Sequence, residues 1–138
     1  MVVYREEFFV ETRGEVDMVD ITNKVRDAVK KSGIREGIVN VFSPGSTCAI
    51  STIEYEPGLL KDFPRFLERV IPREIEYEHH KRWHDYNGHS HIRSTLLKPS
   101  FTAPVIDGDV CLGTWQQIVF IELDVRPRRR RIIVTVVG

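Results

Sequence analysis

The sequence predicts a single α+β domain: a curved, mainly antiparallel sheet or sandwich, partly covered by two helices. Three observations point there. Runs rich in Val, Ile, Phe and Thr, bounded by Gly, Pro and Asp, open the chain, close it and recur between. Apolar residues fall at helical spacing in only two stretches, both early in the chain. No Ser/Gly linker, internal repeat or low-complexity tract interrupts the 138 residues, a length that suits one core.

Val2 to Thr12 alternates partially and reads as a strand. Asp20 is placed to cap a helix with Ile21, Val25, Ala28 and Val29 on its apolar face, and Gly33 to end it. Gly37 to Ser43 reads as a strand, Pro44-Gly45 as a turn, and Thr47 to Glu54 as a second strand. A second helix is expected around Asp62 to Ile71, with Pro64 at its first position and Asp62 or Phe63 as cap. From His89 to Leu97 the chain reads as a strand, and Asp107-Gly108-Asp109 as a hairpin turn. Trp115 to Val125 and Arg131 to Val137 flank Arg126-Pro127 and are expected to form a closing hairpin.

Composition excludes several classes. Twenty basic and twenty acidic side chains cancel, so no global field favours nucleic acid or an anionic membrane. No apolar run approaches the roughly 20 residues a membrane span needs. The N-terminal segment carries acidic residues early and lacks a signal-peptide layout. Cys48 and Cys111 have no CxxC spacing, and a reduced cytoplasmic protein is expected.

All five histidines lie between His79 and His91, beside Asp85 and Asn87. On a strand, His89, His91 and Arg93 would share a face, and the two imidazoles could hold one metal ion. His80 and His84 would share a face of a helix. Asp85 is a candidate ligand, imidazole-orienting partner or general base. Upstream, Ser43-Pro44-Gly45-Ser46-Thr47 offers hydroxyls and free amides to an oxyanion, against the plainer reading as a turn. Cys48 reads as a small buried residue. Glu54 is a catalytic carboxylate or a strand-end charge. Five arginines in the six residues Arg126 to Arg131 could bind phosphate; with no aromatic interleaving, a solvated tip offsetting acids elsewhere is the preferred reading.

The strings Ser43-Pro-Gly-Ser-Thr-Cys-Ala-Ile-Ser-Thr-Ile-Glu-Tyr-Glu-Pro-Gly-Leu59, Tyr77-Glu-His79, Asn87-Gly-His-Ser-His91, Arg93-Ser-Thr-Leu-Leu97 and Leu112-Gly-Thr-Trp-Gln-Gln-Ile118 resemble the signature of the YjbQ-like family, also called secondary thiamine-phosphate synthases. The resemblance covers essentially the whole chain, in order. It implies an α+β sandwich of two mainly antiparallel sheets with two main helices, assembling as a homotrimer with a subunit-interface cavity lined by the histidine segment. The implied activity joins hydroxymethylpyrimidine diphosphate to thiazole phosphate with release of pyrophosphate. Matching positions are Thr47, Glu54, His79, Asn87, His91, Arg93 and Gln116. With the resemblance and the residue reading taken together, Glu54, Asp85 and His91 are the candidate catalytic groups. Ser46, Thr47, Asn87, Gly88, Arg93 and Gln116 would bind a small phosphorylated substrate, and His79, His89 and His91 a divalent metal, zinc or magnesium. Many members carry His-Thr-Thr where this chain has Gly45-Ser46-Thr47, which removes one potential ligand. The rival readings are a metal-dependent phosphohydrolase and a non-catalytic trimer that binds a metal or phosphometabolite. Partnership with nucleic acid or membrane is not expected.

Overall fold

The opening strand β1 (Val3–Glu11) pairs along its whole length with the last strand, β8 (Arg129–Val137), joining the two ends of the chain. In this computed structural model, which describes residues 1–138, β8 also pairs with β3 (Gly37–Phe42). β3 continues to β5 (Ser100–Ile106) and β6 (Asp109–Val110), completing a five-stranded antiparallel sheet. A second antiparallel sheet sets β7 (Gln117–Glu122) between β2 (Met18–Asp20) and β4 (Cys48–Ile53). The α+β class and the two sheets agree with the sequence expectation.

The two sheets enclose the main core with helix α1 (Thr22–Ser32), through Val25, Val29, Val39, Ile50, Phe120 and Val134 among others. α1 begins where expected. Asp20 Oδ1 accepts from the Thr22 N–H at 3.0 Å, one residue before the formal cap Ile21, and Gly33 closes the helix at φ 70°. β7 is buried on both faces. Ile118 and Phe120 meet the main core, while Val119, Ile121 and Leu123 belong to a second cluster with Leu67. That double burial explains its unbroken apolar run.

Three expectations need correction. Helix α2 (Pro57–Val70) starts earlier than predicted, because Glu56 caps it, accepting from Gly58 N–H at 2.8 Å and Leu59 N–H at 2.6 Å. Pro57 takes the first turn, and Pro64 lies inside the helix. The stretch read as a strand from His89 is helix α4 (Gly88–Leu97), and α3 (Glu78–Trp83) precedes it, so there are four helices rather than two. The buried stripe of α4 is His89, Ser90, Arg93 and Ser94: helical in spacing but polar, and so invisible to hydrophobic periodicity. Finally, β7 and β8 form no hairpin. They lie in different sheets, and residues 123–128 turn the corner between them, held by Leu123 N–H on the Thr47 carbonyl at 3.1 Å. No helix is long and apolar enough to cross a membrane.

Candidate functional site

The signature Asn87-Gly88 sets two helix starts against each other. A Cβ on Gly88 would lie 2.7 Å from Tyr77 Cβ and 3.3 Å from His79 Cβ, so only glycine admits this approach. The apposition brings His79 of α3 and His91 of α4 together, ring centroids 4.5 Å apart and planes tilted by 42°. The pair opens on a cleft of about 500 Å³ lined also by Ile75, Tyr77 and Ile92. Gly88→Ala should force Tyr77 and His79 outward and cost about 1–3 kcal/mol through overpacking. Urea unfolding gives the cost, and NMR distances between ring protons show whether the two imidazoles part.

Asp85 Oδ1 lies 3.3 Å from His79 Nδ1, outside hydrogen-bond geometry, so this buried ring nitrogen has no partner within the chain. Burial lowers the pKa of His91 below 6.5 and the neighbouring His79 adds to the effect; Asp85 and Asp124 oppose it without reversing it. His91 is therefore mainly neutral at pH 7, with one ring N–H to donate and one lone pair to accept a proton. Adjacent imidazoles can bind phosphoryl oxygens and relay a proton.

His89 and Arg93 do not join this pair. In a helix, residues two apart point about 200° apart; His91 faces the cleft and His89 the interior, which undoes the shared strand face. His89 is fully buried with Nε2 2.7 Å from Glu15 Oε2. Arg93, 2% exposed, donates Nε and Nη2 to the Ile71 carbonyl at 3.1 and 2.8 Å, and its Nη2 reaches Glu68 at 3.1 Å. Arg93 holds the end of α2 and faces no cleft. The trio His79, His89 and His91 is thus not brought together, and within one chain no three His, Cys, Asp or Glu side chains converge on a metal position. The donor set of a single chain does not fit a zinc or magnesium centre.

Thr47, Asn87 and the arginine run meet in a buried polar knot. Thr47 Oγ1 donates to Asp124 Oδ2 at 3.3 Å and accepts from Arg130 Nη2 at 2.9 Å, while Asn87 Nδ2 donates to Asp124 Oδ1 at 3.2 Å. Every arginine from 128 to 131 meets an acid: Arg128 meets Asp124, Arg129 Glu11, Arg130 Glu122 and Arg131 Glu7. The run offsets acids as the sequence suggests, but from the lead-in and first residues of β8 rather than from a hairpin tip. Ser46 stays on its loop, outside the knot. A Cβ at Gly45 would stand 3.0 Å from Arg130 Nη1, so Arg130 already fills the space beside this loop.

Glu54 and Gln116 belong to the opposite end of β4. Glu54 lines a separate cleft of about 330 Å³ with Asp20, Trp115 and Gln117. Gln116 braces its own loop, accepting from Gly113 N–H at 2.7 Å and donating to Thr52 Oγ1 at 3.3 Å. Sequence reasoning misses Glu15, Glu122 and Asp124. The latter two carry a signal: acids ending the apolar run Ile118 to Leu123, shortly before a basic run.

A model of the family described as UPF0047 protein YjbQ-like matches residues 6–138. A UPF0047 protein of Methanothermobacter thermautotrophicus is 47% identical over 138 residues, covering 100% of this chain and 94% of its own. One from Archaeoglobus fulgidus is 40% identical over 128 residues, covering 93% and 97%. Among solved structures, a YbjQ-like protein of unknown function from Sulfolobus solfataricus superposes with a TM-score of 0.94 at 35% identity, covering 99% of this chain and 98% of that one. A hypothetical protein from Aeropyrum pernix K1 superposes at 0.89 with 30% identity, covering 97% and 98%.

Proposed function

This chain belongs to the YjbQ-like UPF0047 family, and we propose that its chemistry takes place at the His79–His91 pair, on a small phosphorylated substrate. The supporting observation is the pair itself: two imidazoles 4.5 Å apart on an open cleft, one with a buried ring nitrogen left without a partner. Such nitrogens are costly unless something binds them.

The reaction we assign first is the thiamine-phosphate coupling that the sequence resemblance implies. The thiazole ring nitrogen attacks the pyrimidine's methylene carbon; the bond from that carbon to the diphosphate oxygen breaks, and pyrophosphate leaves with the electron pair. His79 and His91 would donate ring N–H groups to the departing oxygens, where charge develops, with the Asp85 carboxylate close by. The reading includes a homotrimer whose neighbouring copy closes the cleft, for which light scattering should give the mass of three chains.

The test is thiamine-phosphate formation by purified protein, with His91→Ala beside it. The expected result is turnover in the parent and a loss of at least ~100-fold in the variant. Because the pKa of His91 lies below 6.5, its neutral form persists into mild acid. The imidazolium is the stronger donor to a departing diphosphate, so the rate should rise as pH falls through the His91 pKa, below 6.5. Equal turnover in both proteins would remove the pair from the chemistry, and phosphate release from a single substrate would identify a hydrolase instead.

A further inference from the structure

Ser94 Oγ, further along α4, donates to the Cys48 carbonyl of β4 at 2.6 Å, but the loop between α3 and α4 is held to the sheets by Asn87. α3 ends at Trp83 and α4 begins after Asn87; between them His84 and Tyr86 adopt left-handed backbone, φ 60° and 55°. Such conformations cost about 1 kcal/mol or more in non-glycine residues and persist only where the surroundings impose them. The side chains of His84, Asp85 and Tyr86 are exposed and none hydrogen-bonds to either sheet. Asn87 is different. It precedes the first residue of α4, yet its side chain makes no cap; its amide is turned away to Asp124 Oδ1 at 3.2 Å. Meanwhile its carbonyl accepts from Ser90 and His91 N–H at 3.0 and 3.3 Å, so the turn bearing His91 hangs from Asn87.

Asp124 is built to hold such a load. It is 1% exposed and follows β7 at the passage between the sheets. Oδ1 accepts from Val125 N–H at 2.8 Å as well as from Asn87, while Oδ2 accepts from Thr47 Oγ1 at 3.3 Å and Arg128 Nε at 3.1 Å. One carboxylate thus joins the start of β4, the lead-in to β8 and the α3–α4 corner.

We infer that Asp124 is the positioning residue of the histidine pair: by gripping the Asn87 amide it pins the α3–α4 corner to both sheets and keeps the His91 ring against the His79 ring. This rests on the reading of that pair as the working centre. Asp124 touches neither substrate nor reacting atoms; it acts through Asn87. Burial pushes its carboxyl up, but the Arg128 guanidinium, the Asn87 amide and the Val125 N–H outweigh that and hold it at about 2. It is therefore a permanent anion, and it faces His91 together with Asp85 and His79.

The experiment compares Asp124→Asn, Asn87→Ala and Arg128→Gln in the full chain, by NMR of the histidine ring protons. In Asp124→Asn and Asn87→Ala the His79 and His91 rings should move apart. In Asp124→Asn the titration of His91 should also move down, since one of its two favourable anions is gone. Arg128→Gln removes the ion pair but keeps the carboxylate and its amide partner, so it should unfold more easily yet hold the rings together. Where the parent turns over substrate, kcat in the first two should fall on the order of 100-fold with KM little changed, as for a displaced catalytic group. A folded Asp124→Asn protein with ring separation and titration unchanged would overturn the inference, as would rings parted in all three variants alike. If Asp124→Asn does not fold, Asn87→Ala decides: rings that separate support the tether, and rings that stay together refute it. A parent without turnover removes the coupling reaction and leaves this decision to the ring geometry.

Discussion

Arg93→Ala is expected to destabilise the protein by about 3–5 kcal/mol, the usual cost of removing one partner from a buried ionic group. Arg93 closes a cluster in which each member depends on the others. Its guanidinium gives two hydrogen bonds to the Ile71 carbonyl at the end of α2, and it lies 3.4 Å from Glu15 and 3.1 Å from Glu68. Alanine would orphan that carbonyl, leave a cavity at the buried face of α4, and weaken the environment of Glu15. Burial alone would raise the Glu15 carboxyl, but the His89 hydrogen bond, with the charges of His89, Arg73 and Arg93, brings it below 4.5. A carboxyl with a depressed folded pKa contributes stability that is present above 4.5 and lost as pH falls through the folded value. The variant should therefore show a shallower loss of stability in acid as well as a lower midpoint at neutral pH. Arg93→Lys should rescue little, because an ammonium cannot donate in two directions from one plane. Urea unfolding across that pH range measures both effects. A variant within about 0.5 kcal/mol of the parent would mean that the side chain is free, as a phosphate ligand would be.

The same cluster shows how far the sequence can be read. α1 is legible because its buried face is apolar: Val25, Ala28 and Val29 recur at helical spacing between Asp20 and Gly33. β7 is legible because double burial makes a continuous apolar run. α4 is not, since the face it buries is His89, Ser90, Arg93 and Ser94; the partners of His89, Arg93 and Ser94 are Glu15, Glu68, Ile71 and Cys48, far along the chain. Polar burial leaves no periodic hydrophobic trace. Reading that one element as a strand also misplaces the chemistry, because alternation puts His89 beside His91 where the helix puts them on different sides. The histidine segment itself stands out in the sequence, and His79, Asp85 and His91 do converge. Glu54 and Gln116 are grouped with them by resemblance, a grouping that spacing alone cannot test. The absent hairpin has a similar cause: Asp124 and Glu122 pair with Arg128 and Arg130 across the corner, which the linear sequence does not display.

That corner supplies the second large effect. Glu122 is fully buried at the end of β7 and accepts from Thr12 Oγ1 at 2.7 Å, Arg130 Nε at 2.8 Å and the Asp124 N–H at 3.0 Å. Arg130, itself buried, passes on to the Thr47 carbonyl at 3.0 Å, so the ion pair spans the two sheets where no backbone ladder joins them. Glu122→Gln keeps the shape but turns an acceptor-only group into one with two donors facing donors, and leaves the Arg130 charge without an answer. A loss of about 3–5 kcal/mol is expected. Arg130→Met should cost a similar amount, because the buried Glu122 carboxyl then loses its cationic partner. The pair should not be additive: Glu122→Leu with Arg130→Met removes both charges, and its cost should fall below the sum of the singles by about 2 kcal/mol or more. Recovery would remain incomplete, since Thr12 and Thr47 lose acceptor and donor with nothing in exchange. Urea unfolding of Glu122→Leu, Arg130→Met and the double variant closes the cycle. Strict additivity would show that each residue stabilises its own sheet independently; a large coupling would show that the two sheets are locked by this one ion pair.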